Sequence, residues 1–175
     1  GRRWSELQAQ PALSGFEDPE IFTEVIYGCH RASLLEEQMY VVGCDEGGGG
    51  DVWVTSRDLG SSASWFSSPV WSPPSPITDE NLEMEAVELV ATSDDLIHAF
   101  FSQRQDPAIY YTHWNGEMWS HITPALELPD GEAGWPAIAA GPGNELFLIT
   151  PTNQGALYLS RAISSDAVIA SSWST

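Results

Sequence analysis

The stretch AIYYTHWNGEMWSHITP, residues 108–124, reads as a strand, a turn and a second strand. Aromatic and β-branched residues suit a pleated, half-buried surface. Asn115-Gly116 supplies the positive φ angles that a two-residue hairpin turn prefers, so a tight turn is expected there. A two-stranded unit this rich in Tyr and Trp has more apolar surface than it can bury alone. It needs other layers to pack against, and weaker copies of it recur before and after.

The dipeptide Trp-Ser occurs four times, at Trp4, Trp71, Trp119 and Trp173. A second marker precedes each later copy: DVWVTSRD reaching Arg57, AIYYTHWN reaching His113, and GALYLSRA reaching Arg161. Both markers keep a period near 50 residues, in the range that signals a repeat array. Two more short apolar runs fit into each period. One is EEQMYVVGC at 36–44, DDLIHAFFS at 94–102 and GNELFLITP at 143–151; the other is EVIYGCHRA at 24–32, EAVELVATS at 85–93 and GWPAIAAGP at 134–142. Gly, Pro, Asn, Asp and Ser separate the runs, as turns require. Helical spacing competes only at ITDENLEMEAVEL, 77–89, and there without a clean i, i+3, i+4 pattern.

Four short strands per repeat specify an all-β fold in which each small sheet buries its faces against its neighbours, as in a β-propeller blade. The expected organisation is a propeller fragment. Residues 1–10 form an outer strand of a preceding blade, 11–75 blade one with a long leading loop, 76–123 blade two and 124–175 blade three. Trp4, Trp71, Trp119 and Trp173, with Arg57 and Arg161, are its repeated structural residues. Three blades do not close a propeller, so the expected partners are further blades or another subunit, and the N-terminal outer strand favours continuous blades.

In the order Ser-Arg strand, hairpin, Trp-Ser strand, the chain resembles sialidase-like propellers with BNR-type repeats. The matching residues are Ser56-Arg57 with Trp71, Thr112-His113 with Trp119, and Ser160-Arg161 with Trp173. The resemblance is one of architecture, since the family's Asp-box turn is degenerate here. It implies, for an enzyme, an arginine cluster, a Tyr nucleophile with a Glu, and an acid/base Asp.

Composition narrows the partners. The chain has 175 residues, 42% hydrophobic, with a formal net charge of -19; all six positive side chains are arginine. Such a surface repels phosphate backbones and anionic lipid, and no apolar run approaches the roughly 18 residues that span a bilayer, so neither nucleic-acid binding nor membrane insertion is expected. It also disfavours an anionic sugar. Arg57 and Arg161 fall at equivalent repeat positions, as structural residues do, and the expected role is non-catalytic recognition or structure outside the cell or at its surface. The alternatives are part of a glycoside hydrolase whose catalytic residues lie elsewhere, and a structural subunit of a surface assembly.

Several residues are candidate ligands or binders. Arg104, Asp106, Trp114 and Trp135 have the stacking and hydrogen-bonding chemistry that a neutral glycan needs. Asp45, Glu46 and Asp51 flank four glycines and offer carboxylates to a Ca²⁺, the only cofactor suggested; a solvated loop is the competing reading. His98 reads as a core or channel histidine. If a hairpin is centred between Glu36 and Glu37, Cys29 and Cys44 oppose one another, either as a disulfide or as two buried thiols.

Overall fold

The computed structural model describes residues 30–44, 51–60, 72–78, 84–167 and 169–173. Eleven strands and three short 3-10 turns make up its regular structure. The first sheet contains β1 (His30–Leu35), β2 (Gln38–Cys44), β3 (Val52–Asp58) and β4 (Ser75–Pro76), in the order β1-β2-β3-β4. The second contains β5 (Met84–Ala91), β6 (Ile97–Gln103), β7 (Ala108–Trp114) and β8 (Thr123–Glu127), again in sequence order. The third has three described strands, β9 (Ala137–Ala140), β10 (Glu145–Pro151) and β11 (Leu157–Ile163). All pairings are antiparallel. The all-β repeat is therefore present. Domain limits at 75/76 and 123/124 cut β4 and β8, so the sheets end slightly later than the repeat markers suggest.

The three sheets stack in chain order, with a core in each of the two gaps. Val42, Val52 and Val54 of the first sheet meet Val87, Leu89, Ile97, Ala99 and Phe101 of the second. Phe100, Ile109 and Tyr111, on the second sheet's other face, meet Leu146, Leu148, Ala162 and Trp173. Alternation along β6 explains the division, because odd and even residues of a strand point to opposite faces. Both faces of that strand are covered, which is why IHAFFS is buried throughout. β5 touches β1 on one side and β9 on the other, so the first strands of successive sheets lie side by side.

Register makes the repeat quantitative. Val42 opposes Val54, Phe100 opposes Tyr111 and Ile149 opposes Leu159 at the same place in the three sheets. One residue further along β3, β7 and β11 come Thr55, Thr112 and Ser160. The Ser-Arg marker is thus offset by one: Thr112 matches Thr55, not Ser56. Side chains explain why. Thr55 Oγ1 donates to the Ser72 carbonyl at 2.7 Å while Ser72 Oγ accepts from the Ser56 amide at 2.8 Å. Thr112 and His113 hold Ser120 in the same way, at 2.6 and 3.0 Å.

The expected Asn115-Gly116 hairpin differs in detail. Trp114 bridges Trp119 across a four-residue turn. Asn115 Oδ1 closes it by accepting from the amides of Glu117 and Met118, both at 3.0 Å, and only Gly116, at φ 95°, takes the positive angle. Trp119 accordingly lies before the outer strand β8 rather than within it. After β11 the chain makes 3-10 turns at Ser164–Asp166 and Ala170–Ser172 in place of an immediate fourth strand. Those turns carry Trp173 into the second core, where its ring meets Phe100 edge-on at 5.5 Å and Nε1 donates to the Ala167 carbonyl at 3.0 Å. Trp4 and Trp71, and the N-terminal outer strand, lie outside the described residues.

Candidate functional site

Between the second and third sheets, polar residues meet at the ends of β5, β6, β7 and β11. His98, fully buried, directs Nε2 to Thr92 Oγ1 at 2.9 Å and to Ser164 Oγ at 3.1 Å; its Nδ1 lies 2.8 Å from Tyr111 Oη. Asp94, in the β5–β6 turn, accepts from Thr92 through Oδ1 and from Ser164 through Oδ2, the latter at 2.7 Å. Both hydroxyl protons are thereby committed to the carboxylate. The hydroxyl oxygens are then acceptors, so His98 carries its proton on Nε2 and Nδ1 accepts from Tyr111.

Burial sets the charge state. Desolvation pulls the His98 imidazolium down to about 4 against the opposing pull of Asp94, and nearby His113 lowers it further. Burial raises the Tyr111 phenol well above its usual range, with Asp94 adding to the shift. For Asp94 burial acts upward, but the hydrogen bonds from Thr92 and Ser164 outweigh it and the carboxyl ends below its ordinary value. At neutral pH the network holds a neutral imidazole, a protonated phenol and an ionised carboxylate. Ser164, His98 and Asp94 do not form the relay of a hydrolytic triad, in which the carboxylate binds the imidazole nitrogen remote from the nucleophile. Here that nitrogen faces Tyr111, and the arrangement ties the third sheet to the second.

A second constellation lies at the opposite ends of these strands. The β6–β7 turn, the link from β8 to β9 and the β10–β11 turn converge there. Ala133 N donates to the Asp106 carbonyl, Gly134 N to Pro151 and Asn153 N to Glu132, at 2.8, 2.8 and 3.1 Å. On this braced link Trp135 is 64% exposed. Asp106 shapes the turn itself, accepting from the Ala108 amide at 2.7 Å and from Tyr110 Oη at 2.9 Å. Arg104 pairs with Glu85 at 2.8 Å.

Trp114, the fourth expected binder, does not join them. It ends the seven-residue strand that Asp106 precedes, so the two lie about 20 Å apart along the sheet. Its ring instead packs 5.8 Å from Trp119 and 6.2 Å from Tyr40. Asp51 accepts from Thr78 Oγ1 at 3.1 Å, while Asp45 and Glu46 lie outside the described residues. Among the described residues no group of three His, Cys, Asp or Glu side chains is placed to hold a metal ion. The β1–β2 hairpin is centred between Glu36 and Glu37, with Leu35 opposite Gln38; Cys29 lies outside the described residues. Arg161 pairs with Glu145 at 3.5 Å on the third sheet, and Arg57 sits in β3 opposite Met39.

No family model and no curated protein matches the chain. Among solved structures, one described as "Hadza microbial sialidase Hz136" superposes with a TM-score of 0.53 at 16% identity, over 83% of this chain and 32% of that one. The fold is sialidase-like. The chain spans about a third of that neighbour's length, and at such identity the likeness concerns fold alone. Sequence reasoning found the sialidase-like strand order but missed the His98 network. The signal available was a histidine inside the otherwise apolar run of β6, with the hydroxyl residue Thr92 and the carboxylate Asp94 in the turn just before it.

Proposed function

We propose that this chain is a non-catalytic recognition module of sialidase-like architecture, working outside the cell or at its surface, whose loop face around Trp135 binds neutral carbohydrate. Trp135 carries the reading: a large flat ring, 64% exposed, on a link braced by backbone hydrogen bonds to two neighbouring turns. A rigid exposed aromatic loses little entropy on binding and offers a stacking surface to the C–H face of a sugar. The carboxylates of Asp106, Asp130 and Glu132 belong to the same loop cluster and are acceptors for sugar hydroxyls. The arginines support a neutral ligand over an anionic one, because Arg31, Arg104 and Arg161 each pair with a glutamate, at 2.6, 2.8 and 3.5 Å.

The test is titration of neutral and sialylated oligosaccharides followed by tryptophan fluorescence. Saturable quenching by a neutral glycan, weakened about tenfold or more by Trp135→Ala, is the expected result. The likeness to a solved sialidase keeps hydrolysis as the second reading. Turnover of a fluorogenic sialoside by a protein in which this chain is joined to further blades, and not by the chain alone, would decide for it.

A further inference from the structure

The turn between Trp114 and Trp119 holds Asn115, Gly116, Glu117 and Met118, all four exposed. Asn115 Oδ1 accepts from two backbone amides at once, those of Glu117 and Met118, each at 3.0 Å. Two amides aimed at one carbonyl oxygen bind an oxyanion more tightly than the neutral carbonyl, so they favour any reaction that puts charge on that oxygen. Attack by a nucleophile on Asn115 Cγ does so. The nearest nucleophile along the chain is the Gly116 amide nitrogen, whose attack closes a five-membered ring. That amide makes no hydrogen bond to the described residues. Nothing lies within 4 Å of the place where a Cβ of residue 116 would stand, so neither its own side chain nor a neighbour shields the nitrogen.

Of the four asparagines in the chain only Asn115 precedes glycine; Leu82, Glu145 and Gln154 follow the others. Asn144 and Asn153 also accept backbone amides on Oδ1, from Ser93 at 3.2 Å and Glu132 at 3.0 Å, but a side chain stands beside the nitrogen that would attack. We propose that Asn115 is a site of spontaneous deamidation, promoted by the turn that it closes. Gly116 N gives its proton to solvent and bonds to Asn115 Cγ; Nδ2 takes up a proton and leaves as ammonia; the cyclic imide then adds one water. Opening at Cγ gives aspartate, and opening at the backbone carbonyl carbon gives isoaspartate. The two products differ in the fold. Aspartate keeps an Oδ acceptor for both amides. Isoaspartate routes the backbone through Cβ and Cγ and moves the free carboxylate to Cα, which lengthens the link between Trp114 and Trp119 and loosens the Ser120 clasp that follows. The site stands apart from the carbohydrate reading, since it lies beyond the far end of β7 from Asp106.

Peptide mapping by mass spectrometry tests it, on the folded chain aged at neutral pH and on a second sample aged in urea, where the turn is absent. Asn115 should convert to aspartate and isoaspartate severalfold faster in the folded sample than in urea, with Asn144 and Asn153 intact in the folded one. Conversion as fast or faster in urea overturns the proposal, because the turn would then do nothing or shield the side chain. So does an Asn115 that ages no faster than Asn144 or Asn153, and so does a product free of isoaspartate, which would mean direct hydrolysis by water and no imide. The isolated isoaspartate form should unfold at a lower urea midpoint than Asn115→Asp, which should match the unmodified chain. Equal midpoints would overturn the separate fates of the two products.

Discussion

Thr112 donates its hydroxyl to the Ser120 carbonyl at 2.6 Å, and Ser120 Oγ in turn accepts from the amide of His113, the next residue along β7, at 3.0 Å. Thr55 and Ser72 repeat this clasp in the first sheet. The serine of Trp-Ser therefore has its own task, locking the chain that leads into the outer strand onto the strand before it. Ser120→Ala should keep the first bond and strand the His113 amide. A loss of about 1–3 kcal/mol is expected, read as a lower urea midpoint at unchanged m-value.

Trp173 and Trp119 occupy matching places in the sequence repeat but differ in burial. Trp173 is 7% exposed and meets Phe100 edge-on, whereas Trp119 is half-buried against Trp114. Trp173→Ala should cost about 3–5 kcal/mol, and Trp119→Ala clearly less. Neither should alter glycan affinity in the protein that remains folded. Thermal unfolding beside the fluorescence titration checks both.

Acid should weaken the protein through His98. Its folded value is about 4 against an ordinary 6.5. Above 6.5 the ring is neutral in both states and its contribution is complete. Between 6.5 and 4 the unfolded chain takes up a proton that the folded chain refuses, so stability falls as pH falls, by about 3 kcal/mol in all. Asp94, held below its ordinary value, acts with the same sign at lower pH. Urea unfolding from pH 7 to 4 should show this slope, and His98→Gln should flatten it whatever its starting stability.

The two cysteines give a further expectation. The β1–β2 hairpin has the centre that would set position 29 opposite position 44, and a cross-strand disulfide is expected after oxidative folding. Closing a loop of about 15 residues contributes roughly 3 kcal/mol where strain is absent. Intact mass with and without reductant, followed by alkylation, should show both thiols protected in the oxidised protein and neither in the reduced one.

Strand order and hairpin positions were legible in the sequence because they rest on local patterns. The gap at Glu36-Glu37 leaves little choice of register between β1 and β2, whereas the bulge between Met84 and Ala86 in β5 was not legible. Asn115 illustrates the limit. Asn-Gly marks a turn, but its length depends on whether the asparagine side chain replaces a backbone partner, and that decision includes Trp114 meeting Trp119. The placing of Trp114 far from Arg104 follows from counting along β7, whereas the exposure of Trp135 depends on tertiary packing. The His98 network joins Thr92 to Ser164, residues 70 or so apart brought together only when two sheets stack. No local pattern encodes that meeting.

The Asp94–Ser164 tie has a consequence for the time course of synthesis. Hairpins within a sheet close between near neighbours, whereas this bond waits for the third sheet to emerge, a span of 70 residues. Local closures are fast and distant ones slow. On the ribosome the second sheet can therefore fold while Phe100 and Tyr111 are still wet, with His98 open to solvent and free to titrate near its ordinary value. Arrival of β10 and β11 dries the imidazole and covers the aromatic pair in one step. A nascent chain stalled before Glu145 should be the form most prone to chaperone capture or sticking, and mildly acidic medium should prolong that window by charging a ring that the finished protein keeps neutral.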